Sequence, residues 1–485
     1  MMGFRIIAAL LCWFPFIGGC VFETKSLPPK LLSSRLPNCQ VKSDPKAGSF
    51  VVGVGPWCRR IKVENGGIIS RTVDLKKGSL ISESGSELEL ILDGERFPSK
   101  ANPLKLEKAE VGPCSLTLIL SEAGRSRFRL TLSYTASPHS RLISKEAEIE
   151  NTSDSPLVLD GFTGEIAKVN GKLARSSGWG VEFELEGGSL IVFVDLPPRL
   201  RRMEVRNGAL RAGYVEKIGK LGIRRWIGPG ESLKLPTIWI AYGGNSSEAV
   251  ESLKSIVRTR VEVVKPDLYQ VVELAEWLEK PEIDSTQLDR SKLALLIPLT
   301  PRARLIEEMG WNVVGPKGEA EPLPCLASDY VFYALLRLER IVSELRPAVL
   351  ILDGEIPPEG CAAGGHYHMG AGESIPMCYE AAIRIAQRLR EENPGMVVAL
   401  TDRLYGSDEP DLYLLSRGLS LAPFEDGGGE KPERQEQGYG GAAGGVEVIG
   451  DDDAPDRSPR PYGRRQAEKR FEAPDPGHGG RRGGH

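Results

Sequence analysis

Between Ala348 and Cys378 the chain reads AVLILDGEIPPEGCAAGGHYHMGAGESIPMC. The apolar run from Val349 to Leu352 has the length and composition of a buried strand, and it ends on Asp353. A carboxylate held at the C-terminal end of a strand is how parallel α/β folds present a catalytic acid or nucleophile. The plainer alternative is an aspartate that caps a helix or steadies a loop. Downstream, Cys361, His366, His368 and Cys378 form a Cys-x4-His-x-His-x9-Cys set. These are ligand types that tetrahedral zinc accepts, so a metal-dependent hydrolase is one reading, although the spacing matches no common zinc motif. His366 and His368 on a Gly-rich loop suit hydrogen bonding to a hydroxyl-bearing ligand better, and Cys361 with Cys378 could instead close a disulfide. No metal ion and no organic cofactor is assigned.

The elements that must position these groups alternate in type. SKLALLIPLT and MVVALTD read as strands like AVLILD, while SDYVFYALLRLERIVSELRP and ESIPMCYEAAIRIAQRLREENPG carry apolar residues at helical spacing. Such alternation predicts a parallel α/β layer over 246–425. Two helical stretches introduce it, SSEAVESLKSIVRTRVEVV and DLYQVVELAEWLEK. Upstream, over 50–245, short alternating runs such as SLTLILSE and RFRLTLSYTA end at Gly, Pro, Asn, Asp or Ser, which predicts a large β-sandwich. Beyond residue 425 the chain is Gly-rich and lacks leucine, so 426–485 reads as a disordered tail.

Composition narrows the function classes. A formal net charge of -4 leaves no basic excess for phosphates, so nucleic acid is not an expected partner. The first twenty residues combine Arg5, an apolar core too short to span a bilayer, and the small-residue ending Ile17-Gly18-Gly19-Cys20. They read as an export signal whose ending is similar to the lipobox of prokaryotic lipoproteins, which would make Cys20 the lipid-bearing first residue of an extracytoplasmic, membrane-anchored protein. Residues 21–49, with Pro28, Pro29 and Pro37, would be the tether. With Cys12 and Cys20 set aside, six of the eight cysteines remain for an oxidising compartment, Cys39 and Cys58 being a plausible local pair.

The combination resembles glycoside hydrolase family 36 and its α-galactosidase-like relatives, which join an N-terminal β-supersandwich to a (β/α)8 barrel. VENGGIISRTV, SRLISKEAEIENTSDSPLVLDG and PGESLKLPTIWIAYGG are similar to parts of that sandwich. SDYVFYALLRLERIVSELRPAVLILDG is similar to the helix and strand leading to the family's nucleophile, and SIPMCYEAAIRIAQRLREENPGMVVALTD to the next pair. The resemblance implies a retaining hydrolase of α-galactoside-like glycans with Asp353 as nucleophile. Asp408, in GSDEPD, or Asp426, in FEDGGG, would be the acid/base, and Asp402, His366 and His368 would position the sugar. Trp311 is the best candidate for a stacking platform. The family's lysine two residues before the nucleophile is Ile351 here, and the length after the sandwich is too short for eight βα units, so a partial barrel is expected. A glycan-binding lipoprotein without turnover is the other reading.

Overall fold

The computed structural model describes residues 39–218, 221–259, 263–278 and 289–423. The leader with Cys20, and the tail with Asp426, lie outside these residues.

The chain is mostly β. Two antiparallel sheets, of eleven and nine strands, enclose a common apolar core. In Ser115–Glu122 and Phe128–Ala136, Leu116, Leu118, Leu120, Leu130, Leu132 and Tyr134 point inward, and Leu120 pairs with Leu130 and Leu118 with Leu132 across the ladder. The alternation seen in the sequence is thus the alternation of the pleat. Between Trp57–Glu64 and Gly67–Asp74 the chain reverses in two residues, Asn65 at φ 51° and Gly66 at φ 76°. Both angles are positive, as a type I′ turn needs, and an Asn-Gly dipeptide tolerates them at little cost.

Two expectations change here. The first strand, Cys39–Asp44, lies inside the stretch read as a tether, and it pairs with Ser49–Val54. Cys39 bonds Cys114, not Cys58, with a Cα–Cα distance of 5.3 Å. The strand Ser49–Val54 lies between those of Cys39 and Cys58, which places them two strand spacings apart, about 9.6 Å. That exceeds a disulfide's reach. Cys361 and Cys378, a second conceivable pair, are both free thiols. Closing a loop of 75 residues, the Cys39–Cys114 bridge is expected to contribute about 4.5 kcal/mol, so Cys114→Ser should lower the urea midpoint accordingly under non-reducing conditions. A midpoint unchanged in the variant would reject that contribution.

The sandwich also buries charge. Arg59 (1% exposed) donates to both Glu87 (0%) and Glu165 (1%), with four contacts of 2.8–2.9 Å. Lys145 (2%) reaches Glu165 at 3.1 Å and the Glu87 carbonyl at 2.6 Å, and the Tyr134 hydroxyl donates to Glu87 at 2.7 Å. Two cations and two carboxylates therefore neutralise one another inside the core. Burial alone would raise the Glu87 carboxyl, but Arg59 and Lys145 outweigh it and hold the pKa at about 2.

After the helix Ser246–Lys254, capped by the Asn245 side chain, comes a five-stranded parallel sheet. Its order is Gln270–Glu273, Leu293–Pro298, Val349–Asp353, Val397–Thr401, Ser420–Ala422. Among the described residues this sheet is open, not closed into a barrel. Residues 267–278, expected as helix, contain its first strand. The β-branched pair Val271 and Val272 aligns there with Ala294 and Leu295, and the waiting partner strand overrides the helical spacing. Helices Tyr330–Leu345 and Ala371–Glu392 cover one face through Leu338, Ile341, Leu345, Tyr379, Ala386 and Leu389. The other face is lined by small and branched residues, Ala294, Val349, Ile351, Ala399 and Ala422.

Ion pairs tie the sandwich to this layer: Arg201 with Asp411 at 2.8 Å, Arg417 with Asp195 at 2.8 Å, and Arg225 with Glu380. Asp411 is fully buried and also accepts from the Tyr405 hydroxyl.

Candidate functional site

Asp353 ends its strand on the same side as Val349 and Ile351, because side chains two residues apart share a face. It therefore stands at the C-terminal rim of the small-residue face, 4% exposed. The strand break is enforced locally. Gly354 adopts φ 152°, and a Cβ there would meet Thr300 Oγ1 at 2.6 Å. That hydroxyl instead accepts the Glu355 amide at 2.9 Å.

The carboxylate is held from the neighbouring strand. Thr401 Oγ1 donates to Asp353 Oδ1 at 2.6 Å, Arg403 Nε approaches the same oxygen at 3.3 Å, and Arg403 Nη2 pairs with Oδ2. Sequence reasoning missed both partners. The available signal was position: Thr401 and Arg403 flank Asp402 at the end of MVVALTD, one strand away from Asp353. Arg403 also changes the meaning of Ile351. That residue is buried in the inner face, and the cation that pairs with Asp353 is Arg403, in the short helix that follows the next strand.

The other expected residues are placed as follows. Asp402 is the first residue of the short helix Asp402–Tyr405, where its carboxylate accepts the Arg403 amide at 2.8 Å. Asp408 is exposed on the following turn. Trp311 is half-buried and packs on Tyr330 and Tyr333, with ring centroids 5.9 and 5.3 Å away, so its faces serve the core beside the helix Tyr330–Leu345. A separate cleft of about 350 Å³, lined by residues including Glu146, Glu148, Asp195, Lys234, Glu380 and Arg417, contains none of these groups.

The loop after Asp353 is docked, not free. An antiparallel hairpin, Asn312–Val314 with Ala320–Pro324, lies beneath it. The Ala362 amide donates to the Val314 carbonyl at 2.7 Å and the Tyr367 amide to Ala327 at 2.9 Å. At the far end Glu373, buried at the start of its helix, accepts the Met369 amide at 2.8 Å and the Trp226 amide of the sandwich at 2.9 Å. Within the loop the structure joins Cys361, His366 and His368 to Cys325, which follows the hairpin and was not among the expected residues. Their ligand-type atoms all lie within 4.8 Å of one another. Cys378, expected in that set, has its sulfur 4.0 Å from that of Cys325. Contact with Cys325 and burial raise the Cys361 thiol pKa, outweighing the histidines, which lower it.

A two-sheet sandwich leading into a parallel α/β sheet is similar in fold to solved α-galactosidase structures, among them one of glycoside hydrolase family 36. Two solved structures carry the likeness. The galactosidase domain of an α-galactosidase–sucrose kinase superposes with a TM-score of 0.52 at 9% identity, covering 79% of this chain and 74% of that one. The family 36 α-galactosidase AgaB of Geobacillus stearothermophilus gives 0.50 at 11% identity, over 75% of this chain and 72% of that one. No protein-family model and no curated protein matches the sequence.

Proposed function

We propose that the chain is an exported carbohydrate-active protein that hydrolyses α-galactoside-like glycans with retention. The observation that carries this reading is the position of Asp353, buried at the rim of the parallel sheet with Thr401 and Arg403 on its oxygens. A retaining hydrolase needs one carboxylate to attack the anomeric carbon and another, about 5–5.5 Å away, to protonate the leaving oxygen and then activate water. Asp353 takes the first role. The hydrogen bonds from Thr401 and Arg403 hold its oxygens in place. Asp408 or Asp426 takes the second role and Asp402 contacts sugar hydroxyls, whereas His366 and His368 face Cys361, the Gly310 carbonyl and Cys325 and are engaged within the loop. The Cys39–Cys114 bridge supports a location outside the cytoplasm, since such bonds persist in oxidising compartments; Cys20 would supply the lipid anchor.

The test is release of p-nitrophenol from its α-galactoside by the purified chain, compared with Asp353→Asn. Wild-type turnover that survives in the variant would sink the assignment. One observation favours a second reading, a glycan-binding protein without turnover: both Asp353 oxygens are engaged by Arg403. Galactose binding by calorimetry, without any hydrolysis, would establish it.

A further inference from the structure

We propose that Cys325, Cys361, His366 and His368 form a zinc(II) site that clamps the loop after Asp353 to the hairpin Asn312–Pro324. The inference is independent of the glycosidase reading.

Geometry is the first argument. Zinc–sulfur bonds of about 2.3 Å and zinc–nitrogen bonds of about 2.0–2.1 Å place S and N ligands about 3.6 Å apart on a tetrahedron. Here Cys325 Sγ lies 3.5 Å from His368 Nε2, and Cys361 Sγ lies 3.4 Å from His366 Nδ1. No separation within the four exceeds 4.8 Å. The four come from two chain segments, and the rings of His366 and His368 stand edge to face, 5.4 Å apart, so both fit round one centre.

The surroundings are those of ligands. His366 Nε2 lies 3.1 Å from the Gly310 carbonyl. Donating there leaves Nδ1, the atom facing Cys361, with its lone pair free, which is the arrangement a metal-bound histidine requires. Cys361 Sγ accepts two backbone amides, Val314 and Ala363, each at 3.5 Å, which orient it toward the cluster. His368 is 5% exposed, and its Nδ1 has no hydrogen-bond partner among the described residues. A buried imidazole whose polar contact is a thiol is poorly compensated, and coordination through Nε2 supplies what hydrogen bonding does not. Two thiolates with two imidazoles are a donor set that selects zinc over magnesium or calcium. Four protein ligands close the shell, so the ion's role is to hold the fold.

The full chain, purified with reductant and zinc, is expected to carry about one zinc per molecule by elemental analysis. Cobalt(II) in its place should show thiolate charge-transfer absorption and the strong visible bands of a tetrahedral centre. Cys325→Ser, Cys361→Ser and His368→Asn should each lose more than nine-tenths of the metal, while Cys378→Ser keeps it. Since a ligand variant can fail to fold, the wild type provides a second readout: a chelator should lower its melting temperature and added zinc should restore it. A folded, reduced wild type that binds no zinc would overturn the proposal. So would a Cys325–Cys361 or Cys325–Cys378 disulfide in the native protein, or zinc lost in Cys378→Ser and retained in Cys325→Ser.

Discussion

Replacing Arg59 by methionine is expected to lower the stability of the protein by about 3–5 kcal/mol, measured by urea unfolding at neutral pH. The reason is the charge balance of the sandwich core. Arg59 and Lys145 face Glu87 and Glu165, and all four are buried. Without the guanidinium one carboxylate lies uncompensated at low dielectric, where its desolvation is no longer offset. The loss should depend on pH in a definite direction. The Glu87 pKa falls from 4.5 to about 2 on folding, so its contribution is fully present above about 4.5 and disappears as the pH drops through about 2. In Arg59→Met the stranded carboxylate can protonate, so the gap between the two proteins should narrow on acidification. A gap that widened in acid would show that the cluster does not act through these charges.

On the hydrolytic reading, Asp353→Asn is expected to lower turnover of the nitrophenyl α-galactoside by roughly four orders of magnitude or more, because an amide cannot form the glycosyl ester. The thermal midpoint should move far less than the activity. Arg403→Gln separates nucleophile from clamp. If the guanidinium orients Asp353 for attack, its removal lowers kcat. If the ion pair instead locks the carboxylate away from substrate, Arg403→Gln turns over faster than wild type. The sign of the change decides between the hydrolytic and the glycan-binding readings.

The features legible in the sequence were those encoded locally. The period of Leu116, Leu118 and Leu120 and the apolar strand ending on Asp353 each depend on neighbours within a few residues. What escaped depends on which strands become adjacent. Arg59, Glu87, Lys145 and Glu165 sit on separate segments, and each alone reads as a solvated side chain; only the sheets' packing brings them together. Cys39 and Cys58 are near in the chain, but an intervening strand separates them in the sheet. Cys325 joins Cys361, His366 and His368 only because an antiparallel hairpin returns the chain to the loop, and no local pattern in the sequence marks that return. Arg403 follows the same rule, since its meaning comes from lying one strand over from Asp353.

The ion pairs between sandwich and α/β layer have a consequence for cooperativity. Asp411 is an N-cap, its side chain accepting the Leu414 amide, and at the same time the buried partner of Arg201. Separating the layers would expose that carboxylate's helix and strip Arg201 of its counter-charge in one event. The two layers are therefore expected to unfold together, with a single denaturation midpoint for both.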